Sequence, residues 1–101
     1  MSSTEIKVAI PTIHMNGTSA ESLIDDAMKA YQAVGDALEA MRAVTPNARD
    51  YYVKGEEAAA EARLQHQIRV MKLNDVRDDL QTIILGIQDQ QEERTRRRHT
   101  S

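Results

Sequence analysis

The segment Glu56–Gln90 constrains the fold most, because its large apolar residues recur at the spacing of a helix. Most steps between them are three, four or seven residues, which places them on one helical face. The acidic pair at its start suits the positive end of a helix dipole, and Gly55 marks a boundary just before it. At ~1.5 Å per residue the pattern predicts one helix about 50 Å long. The apolar positions are Leu64, Ile68, Met71, Val76, Leu80, Ile83, Ile84 and Ile87.

A second helix is predicted earlier in the chain. Thr18 and Glu21 match the capping box that opens many helices. Apolar residues at three- and four-residue steps follow as far as Val44. Because the residue before a proline avoids the helical region, the helix should end before Thr45-Pro46. We therefore predict a helix over about 19–44, and then a connection longer than two antiparallel helices need.

The N-terminal segment has a different pattern. Residues 5–10 alternate between apolar and other side chains, as in an extended segment with one buried face. Pro11 has no N–H to donate, which excludes a central strand position. An extended arm docked across a neighbouring copy is the preferred interpretation. The alternative is an edge strand that pairs with a second copy.

Composition favours self-association. Alanine supplies 13 of the 41 apolar residues, and the chain has no Phe and no Trp. Two helices with so few large side chains scarcely enclose a core alone. The expected fold is all-α: an antiparallel helical hairpin with an extended N-terminal arm, assembled into a homo-oligomer. The predicted parts are the arm at 1–15, the hairpin at 16–90 and a basic disordered tail at 91–101. A monomer with long helices is the alternative.

The charge distribution disfavours nucleic acid as the main partner. The net charge is −3, but residues 94–101 hold four arginines and no acid. The other 93 residues therefore carry 9 basic and 16 acidic side chains, a charge of −7. An acidic body repels a phosphate backbone, which leaves only the tail as a nucleic-acid contact.

Several classes of protein are disfavoured by what the sequence lacks. Without cysteine there is no disulfide framework or thiolate chemistry. No apolar run reaches the ~20 residues of a membrane span, and the N-terminus lacks the pattern of a secretion signal. The histidines show no metal-ligand spacing, and nothing marks a nucleophile. We expect a cytoplasmic protein with no enzymatic activity, cofactor, metal site or membrane contact.

The first candidate binding motif is Asn16-Gly17-Thr18-Ser19. At a helix N-terminus, free backbone N–H groups and the helix dipole favour an anion. No lysine follows the glycine, so the motif is not a Walker phosphate loop. The alternative is structural, with Thr18 capping the helix.

The second candidate motif lies in the connection and comprises Asn47, Arg49, Asp50, Tyr51 and Tyr52. Adjacent aromatic rings can stack on a base, and an arginine can pair with phosphate or carboxylate. The alternative is that the tyrosines plug the open end of the hairpin.

His66, early on the long helix, is a further candidate for a polar pocket under this loop. The alternative is an ordinary exposed helical side chain.

Both polar motifs resemble those of small helical proteins encoded by phages and prophages. The likeness covers residues 11 to 88 and depends on Pro11–Ser19 and Asn47–Tyr52. Those proteins have glycine where this chain has Ala48, and no activity is assigned to them. A second likeness is of fold only. Phage anti-defence proteins that sequester cyclic nucleotides are also small helical hairpins that form homo-oligomers.

Three functions follow as hypotheses. The first is a non-catalytic phage protein that binds a small anionic ligand, most plausibly a nucleotide, with phosphate at Asn16–Ser19 and the base on the tyrosines. Since ~39 Å of helix separates the two motifs, a composite site requires an antiparallel neighbour. The second is a structural or adaptor protein acting through helix contacts. The third is a nucleic-acid accessory protein that uses the arginine tail.

Overall fold

The computed structural model describes residues 7–99, with side chains described through Arg98. Two long helices dominate the chain: α1, Ala20–Met41, and α2, Glu56–His99. None of the described residues lies in a strand. The all-α prediction is therefore confirmed.

The start of α1 differs by one residue from the prediction. The Ser22 N–H donates to Ser19 Oγ at 3.1 Å, so that Ser19 is the capping residue. The predicted capping box, with Thr18 as the cap, is therefore wrong. The cap bonds to the N–H three residues further on, and here the serine supplies that hydroxyl.

Three short 3-10 turns follow α1: Arg42–Val44, Ala48–Asp50 and Tyr52–Lys54. The α-helix ends at Met41, and the 3-10 turn Arg42–Val44 extends it to the residue before Thr45-Pro46, where the sequence predicts the end of the helix. Gly55 has a φ of +100°, a backbone conformation that favours glycine, and α2 begins at the next residue. The boundary predicted at Gly55 is confirmed.

The long helix α2 continues to His99, whereas the sequence predicts an end near residue 90. Residues 91–99 fall in the predicted disordered tail, and they are helical. They contain no glycine or proline, and Gln, Glu and Arg are good helix formers. Residues 100–101 of that tail lie outside the described residues.

The extended arm lies on α2 of its own chain. The Ile13 N–H donates to Gln90 Oε1 at 2.9 Å, and Gln90 Nε2 donates to the Pro11 carbonyl at 2.8 Å. Ile10 packs where Gly86 leaves room on the helix. The sequence predicts instead that the arm docks on a neighbouring copy, because the chain contains no second strand with which the arm could pair. Residues 1–6 of the predicted arm lie outside the described residues.

The chain divides into two compact units, and each unit contains one part of α1 and one part of α2. Unit 1 joins the chain up to Tyr31 with the chain from Asp78 onward, so it holds the arm, the start of α1 and the end of α2. Unit 2 is Gln32–Arg77, with the end of α1, the connection and the start of α2. Within each unit, a part of α1 and a part of α2 that are far apart in sequence lie together.

The two units differ in how much they bury. Within the described residues, unit 1 contains three buried apolar residues, Ala20, Ile84 and Ile87, and Ile87 is fully inaccessible. In the described part of unit 2 the one buried apolar residue is Ala59. The larger apolar side chains that pack in unit 2, among them Leu38, Val70 and Leu73, are half-buried.

Candidate functional site

A tight turn in unit 1 leads the arm into α1. The Gly17 N–H donates to the His14 carbonyl at 3.1 Å and closes the turn. A β-carbon on Gly17 would stand 2.8 Å from Nε2 of the His14 ring, so glycine lets the imidazole fold back over the turn. The turn therefore fixes His14 close to the N-terminus of α1.

The first turn of α1 presents backbone donors. Ser19 satisfies the Ser22 N–H, while the N–H groups of Ala20 and Glu21 have no acceptor among the described residues. Such N–H groups, together with about half a positive charge from the helix dipole, favour an anion. The side chain of Glu21 opposes this effect with its own negative charge.

The C-terminal part of α2 brings arginines to the same place. A cleft of about 400 Å³ lies between the turn and α2, and we call it the basic cleft. Gln91, Arg94, Thr95 and Arg98 form its α2 wall, at successive steps of three, one and three residues. This spacing puts all four on one helical face. The other wall consists of Ile13, His14, Met15, Gly17, Ser19, Ala20 and Glu21.

The chemistry of the basic cleft suits a phosphate or carboxylate. Two arginines, a histidine and the first turn of α1 line one space together with Glu21. Guanidinium groups bind phosphate through paired, charge-assisted hydrogen bonds. Thr95 Oγ1 donates to the Gln91 carbonyl at 3.0 Å, so the proton of that hydroxyl is engaged within α2 and the arginines are the donors that this wall offers an anion.

Only half of the first predicted motif lines the basic cleft. Gly17 and Ser19 belong to its wall, whereas Asn16 and Thr18 do not. The sequence reasoning missed Arg94 and Arg98, which it assigned to the tail. The 91, 94, 95, 98 spacing was the pattern that could have found them, because it is that of a helix face.

The second predicted motif belongs to unit 2. Asn47 Oδ1 accepts from the Arg49 N–H at 3.0 Å, so Asn47 caps the turn Ala48–Asp50. Arg49 and Asp50 are exposed, Tyr51 is half-buried, and Tyr52 is 77% exposed. An exposed ring is free to stack, whereas a half-buried one also serves the fold.

Tyr52 lines a second cavity of about 520 Å³ at the start of α2. Arg63 and the backbone around Gly55 lie in the same wall, with Glu56 as the acidic member. The cavity offers the ring of Tyr52 and the guanidinium of Arg63, and the charge of Arg63 is balanced by that of Glu56. It therefore favours an anion less than the basic cleft does.

His66 contacts the first residue of the connection. Its Nε2 is 3.3 Å from Oγ1 of Thr45. Thr45 directly follows the 3-10 turn Arg42–Val44. Both residues line a cavity of about 330 Å³ together with Arg42, Asn74 and Arg77. Arg42 also pairs with Glu39 at 3.6 Å, which offsets part of the positive charge.

The predicted site residues thus fall in two groups. Asn16, Gly17, Thr18 and Ser19 belong to unit 1, and the loop residues with His66 belong to unit 2. The composite site that joins both motifs stays a prediction.

Comparisons with known proteins add no information on function, so the proposal below is argued from the cavities and their residues. No protein-family model, curated protein sequence or solved structure matches the chain significantly. Among the described residues, no group of three or more His, Asp and Glu side chains is placed to hold a metal. Within residues 7–99, neither helix contains a stretch with the length and hydropathy that crossing a bilayer requires.

Proposed function

We propose that this chain is a non-catalytic protein that binds a small anionic ligand as a homo-oligomer, with the ligand's phosphate group in the basic cleft. One observation carries the proposal: the arginine-bearing face of α2 lines the same cleft as the first turn of α1. Each feature alone is common in helical proteins. Their convergence concentrates positive potential in one concave place on an otherwise acidic chain.

A nucleotide is the ligand class that fits best. Small-molecule sites have volumes of about 300–1,000 Å³, and the 400 Å³ cleft falls within that range. Ile13 and Met15 add apolar surface to the wall opposite the arginines. A phosphate on Arg94 and Arg98 would leave this surface for a ring.

The biological setting in the proposal comes from the resemblance to phage proteins. A phage- or prophage-encoded chain of this kind would sequester a nucleotide signal in the host cytoplasm and so antagonise host defence. The resemblance of the two polar motifs supports the proposed phage origin. The charge of the basic cleft supports a nucleotide as the ligand.

Titration of the protein with inorganic phosphate, AMP and cyclic AMP tests the proposal, with calorimetry and melting temperature as readouts. Arg94→Gln should weaken binding at least tenfold, because a hydrogen bond to a charged group contributes about 1.5–3 kcal/mol. Arg69→Gln is the matched control: it makes the same charge change on an exposed part of α2 outside the cleft. Binding that survives Arg94→Gln and Arg98→Gln unchanged would refute the site.

The loop motif requires its own variants. If the tyrosines hold the base in a composite site, Arg49→Ala and Tyr51→Ala should reduce nucleotide binding but leave inorganic phosphate binding intact. If both variants bind nucleotide as tightly as the wild type, the ligand contacts only the basic cleft.

A structural or adaptor role is the second candidate, and exposed apolar side chains favour it. Leu64, Met71 and Val53 are each more than half exposed. Chains that expose this much apolar surface usually bind other proteins through it. A protein that binds no phosphate or nucleotide, yet retains a protein partner through these residues, would favour this role.

A further inference from the structure

The arm is attached to α2 at two points that lie one helical turn apart. Ile10 seats against Gly86, where an added β-carbon would stand 2.8, 3.1 and 3.2 Å from three atoms of its side chain. Four residues further along α2, the side-chain amide of Gln90 accepts from the Ile13 N–H and donates to the Pro11 carbonyl. Gly86 and Gln90 therefore share one face of the helix, and the arm follows that face.

The second attachment point adjoins the basic cleft. Ile13 and Arg94 line the cleft, and the same two residues line a smaller cavity of about 160 Å³ whose wall includes Gln90. They form the partition between the two spaces. Gln90 itself is not part of the basic cleft. Its amide therefore fixes the position of a cleft residue, Ile13, without contacting a ligand in the cleft.

The basic cleft depends on the docked arm for part of one wall. Ile13, His14 and Met15 of the arm belong to the wall opposite α2. An arm that leaves Gln90 takes these residues away, and Arg94 then lies on an open helix surface. A guanidinium attracts an anion less strongly there, because water screens the charge more than a concave site does. The cleft should therefore bind an anion tightly only while the arm is docked.

Few buried side chains hold the arm in place. Among its described residues Val8, Ile10, Pro11 and Ile13 are half-buried, and the others are exposed. Segments with so few buried contacts open locally, at a lower free energy than the core of the same unit. A ligand that binds only the docked form shifts this opening equilibrium toward docking, by a factor that grows with the ligand concentration above its Kd.

We infer that Gln90 is a positioning residue for the ligand of the basic cleft: it holds the arm in the docked position, and the bound anion stabilises that position in return. The inference rests on the proposed function and states how binding at that site is controlled. The two effects are equal in free energy, because linkage between two equilibria is reciprocal. Docking of the arm and binding of a phosphate group are thus coupled within unit 1.

Hydrogen exchange of the Ile13 amide tests the coupling in the wild type, with inorganic phosphate as the probe. Without phosphate, this amide should exchange faster than that of Ile87 in the core of the same unit, because the arm opens locally. Phosphate at about 100 times its Kd should slow the exchange roughly 100-fold, the factor for a ligand that binds only the docked form. Exchange that bound phosphate leaves unchanged would overturn the inference, and so would equal rates for the two amides without phosphate.

A disulfide between the arm and α2 tests whether docking alone restores binding. The chain has no cysteine of its own. Cγ2 of Ile10, one bond from its β-carbon, lies 2.8 Å from the β-carbon position of Gly86, so cysteines at these two positions can reach the ~3.5–4.5 Å that a disulfide spans between β-carbons. The variant Ile10→Cys/Gly86→Cys/Gln90→Leu therefore lacks both attachment points when reduced and regains the docked arm when oxidised.

Phosphate titration of this variant in its two redox states gives the result. The reduced protein should bind phosphate about fivefold more weakly than the wild type, or weaker still, and oxidation should restore the affinity. Equal affinities in the two states would overturn the inference. Failure of the disulfide to form would mean that the arm does not lie on this face of α2, and would overturn it too.

The role of the Gln90 amide has its own matched control. Gln90→Leu should weaken phosphate binding several-fold, whereas Gln88→Leu, the same change at an exposed position outside the cleft, should not. Circular dichroism of both variants should retain the wild-type helix content. Equal phosphate affinities of the two variants would mean that Gln90 does not position the cleft.

The proposed function and this inference can fail separately. A wild type that binds neither phosphate nor AMP would overturn the function together with the coupling that rests on it. A wild type that binds phosphate, beside oxidised and reduced proteins of equal affinity, would keep the function and overturn the inference alone.

Discussion

Ile10 of the arm lies directly against Gly86 of α2. A β-carbon added to Gly86 would stand 2.8 Å from Cγ2 of Ile10, closer than side chains tolerate. The other glycine inside a helix, Gly35, differs: its β-carbon would meet only Arg77 Nη1, at an ordinary 3.8 Å. Glycine is therefore required at one helical position and merely tolerated at the other.

The two glycines should respond to alanine with opposite signs. Gly35→Ala should raise the free energy of unfolding by about 1 kcal/mol through helix propensity alone. Gly86→Ala should lower it by about 1 kcal/mol, because crowding of Ile10 costs more than the propensity gains. Urea unfolding measures both, and one fixed protein concentration keeps the comparison valid for an associating chain.

The Ile10→Ala background is the control for Gly86. With the larger side chain gone, Gly86→Ala should become stabilising like Gly35→Ala. Equal stabilisation by alanine at both glycines in the wild-type background would mean that the arm does not seat on α2.

Gln90 should hold the arm through its side-chain amide. Gln90→Leu removes the acceptor for the Ile13 N–H and the donor to the Pro11 carbonyl, at a cost of about 1–3 kcal/mol. Hydrogen exchange of the Ile13 amide reports the contact directly, and its protection should fall in the variant. Gln88→Leu, at an exposed position of the same helix, should leave that protection unchanged. An Ile13 amide that exchanges freely in the wild type would contradict the contact.

Ser19, and not Thr18, should matter for the stability of α1. Ser19→Ala removes the acceptor for the Ser22 N–H and should cost about 1 kcal/mol. Thr18→Ala should stay within about 0.5 kcal/mol, as an exposed position without a cap bond does. Thermal unfolding of both variants measures the difference. A larger loss for Thr18→Ala would restore the capping box that the sequence predicts.

Much of the helical framework follows from local sequence. The apolar periodicity, Pro46 and Gly55 predict two helices and the ends that face the connection, because these features act through neighbouring residues. The cap was misplaced by one residue because Thr18 and Ser19 are both good capping residues. Choosing between adjacent hydroxyls requires the geometry of the turn, which the His14 carbonyl and Gly17 set together.

The contacts of the arm and the cleft do not follow from local sequence. Gln90 lies 77 residues from Ile13, and an amide in a polar segment gives no sign of such a partner. Gly86 looks like a simple weakness in a helix until Ile10 is placed on it. The sequence places Arg94 and Arg98 in a predicted disordered tail, because polar residues without apolar periodicity are also typical of disorder. Helix propensity alone does not decide between these states.

His14 and Gly17 should be energetically coupled, and the coupling should reach the basic cleft. Gly17→Ala places a β-carbon within 3.0 Å of two ring atoms of His14 and should destabilise the fold by about 1 kcal/mol. In a His14→Ala background the same change should be nearly neutral, so the double-mutant cycle should give a coupling near 1 kcal/mol. His14→Ala alone should weaken phosphate binding less than Arg94→Gln, because it removes one ring and no permanent charge. Additive losses in the cycle would mean that the imidazole does not lie over the turn, and the cleft would then lack that wall.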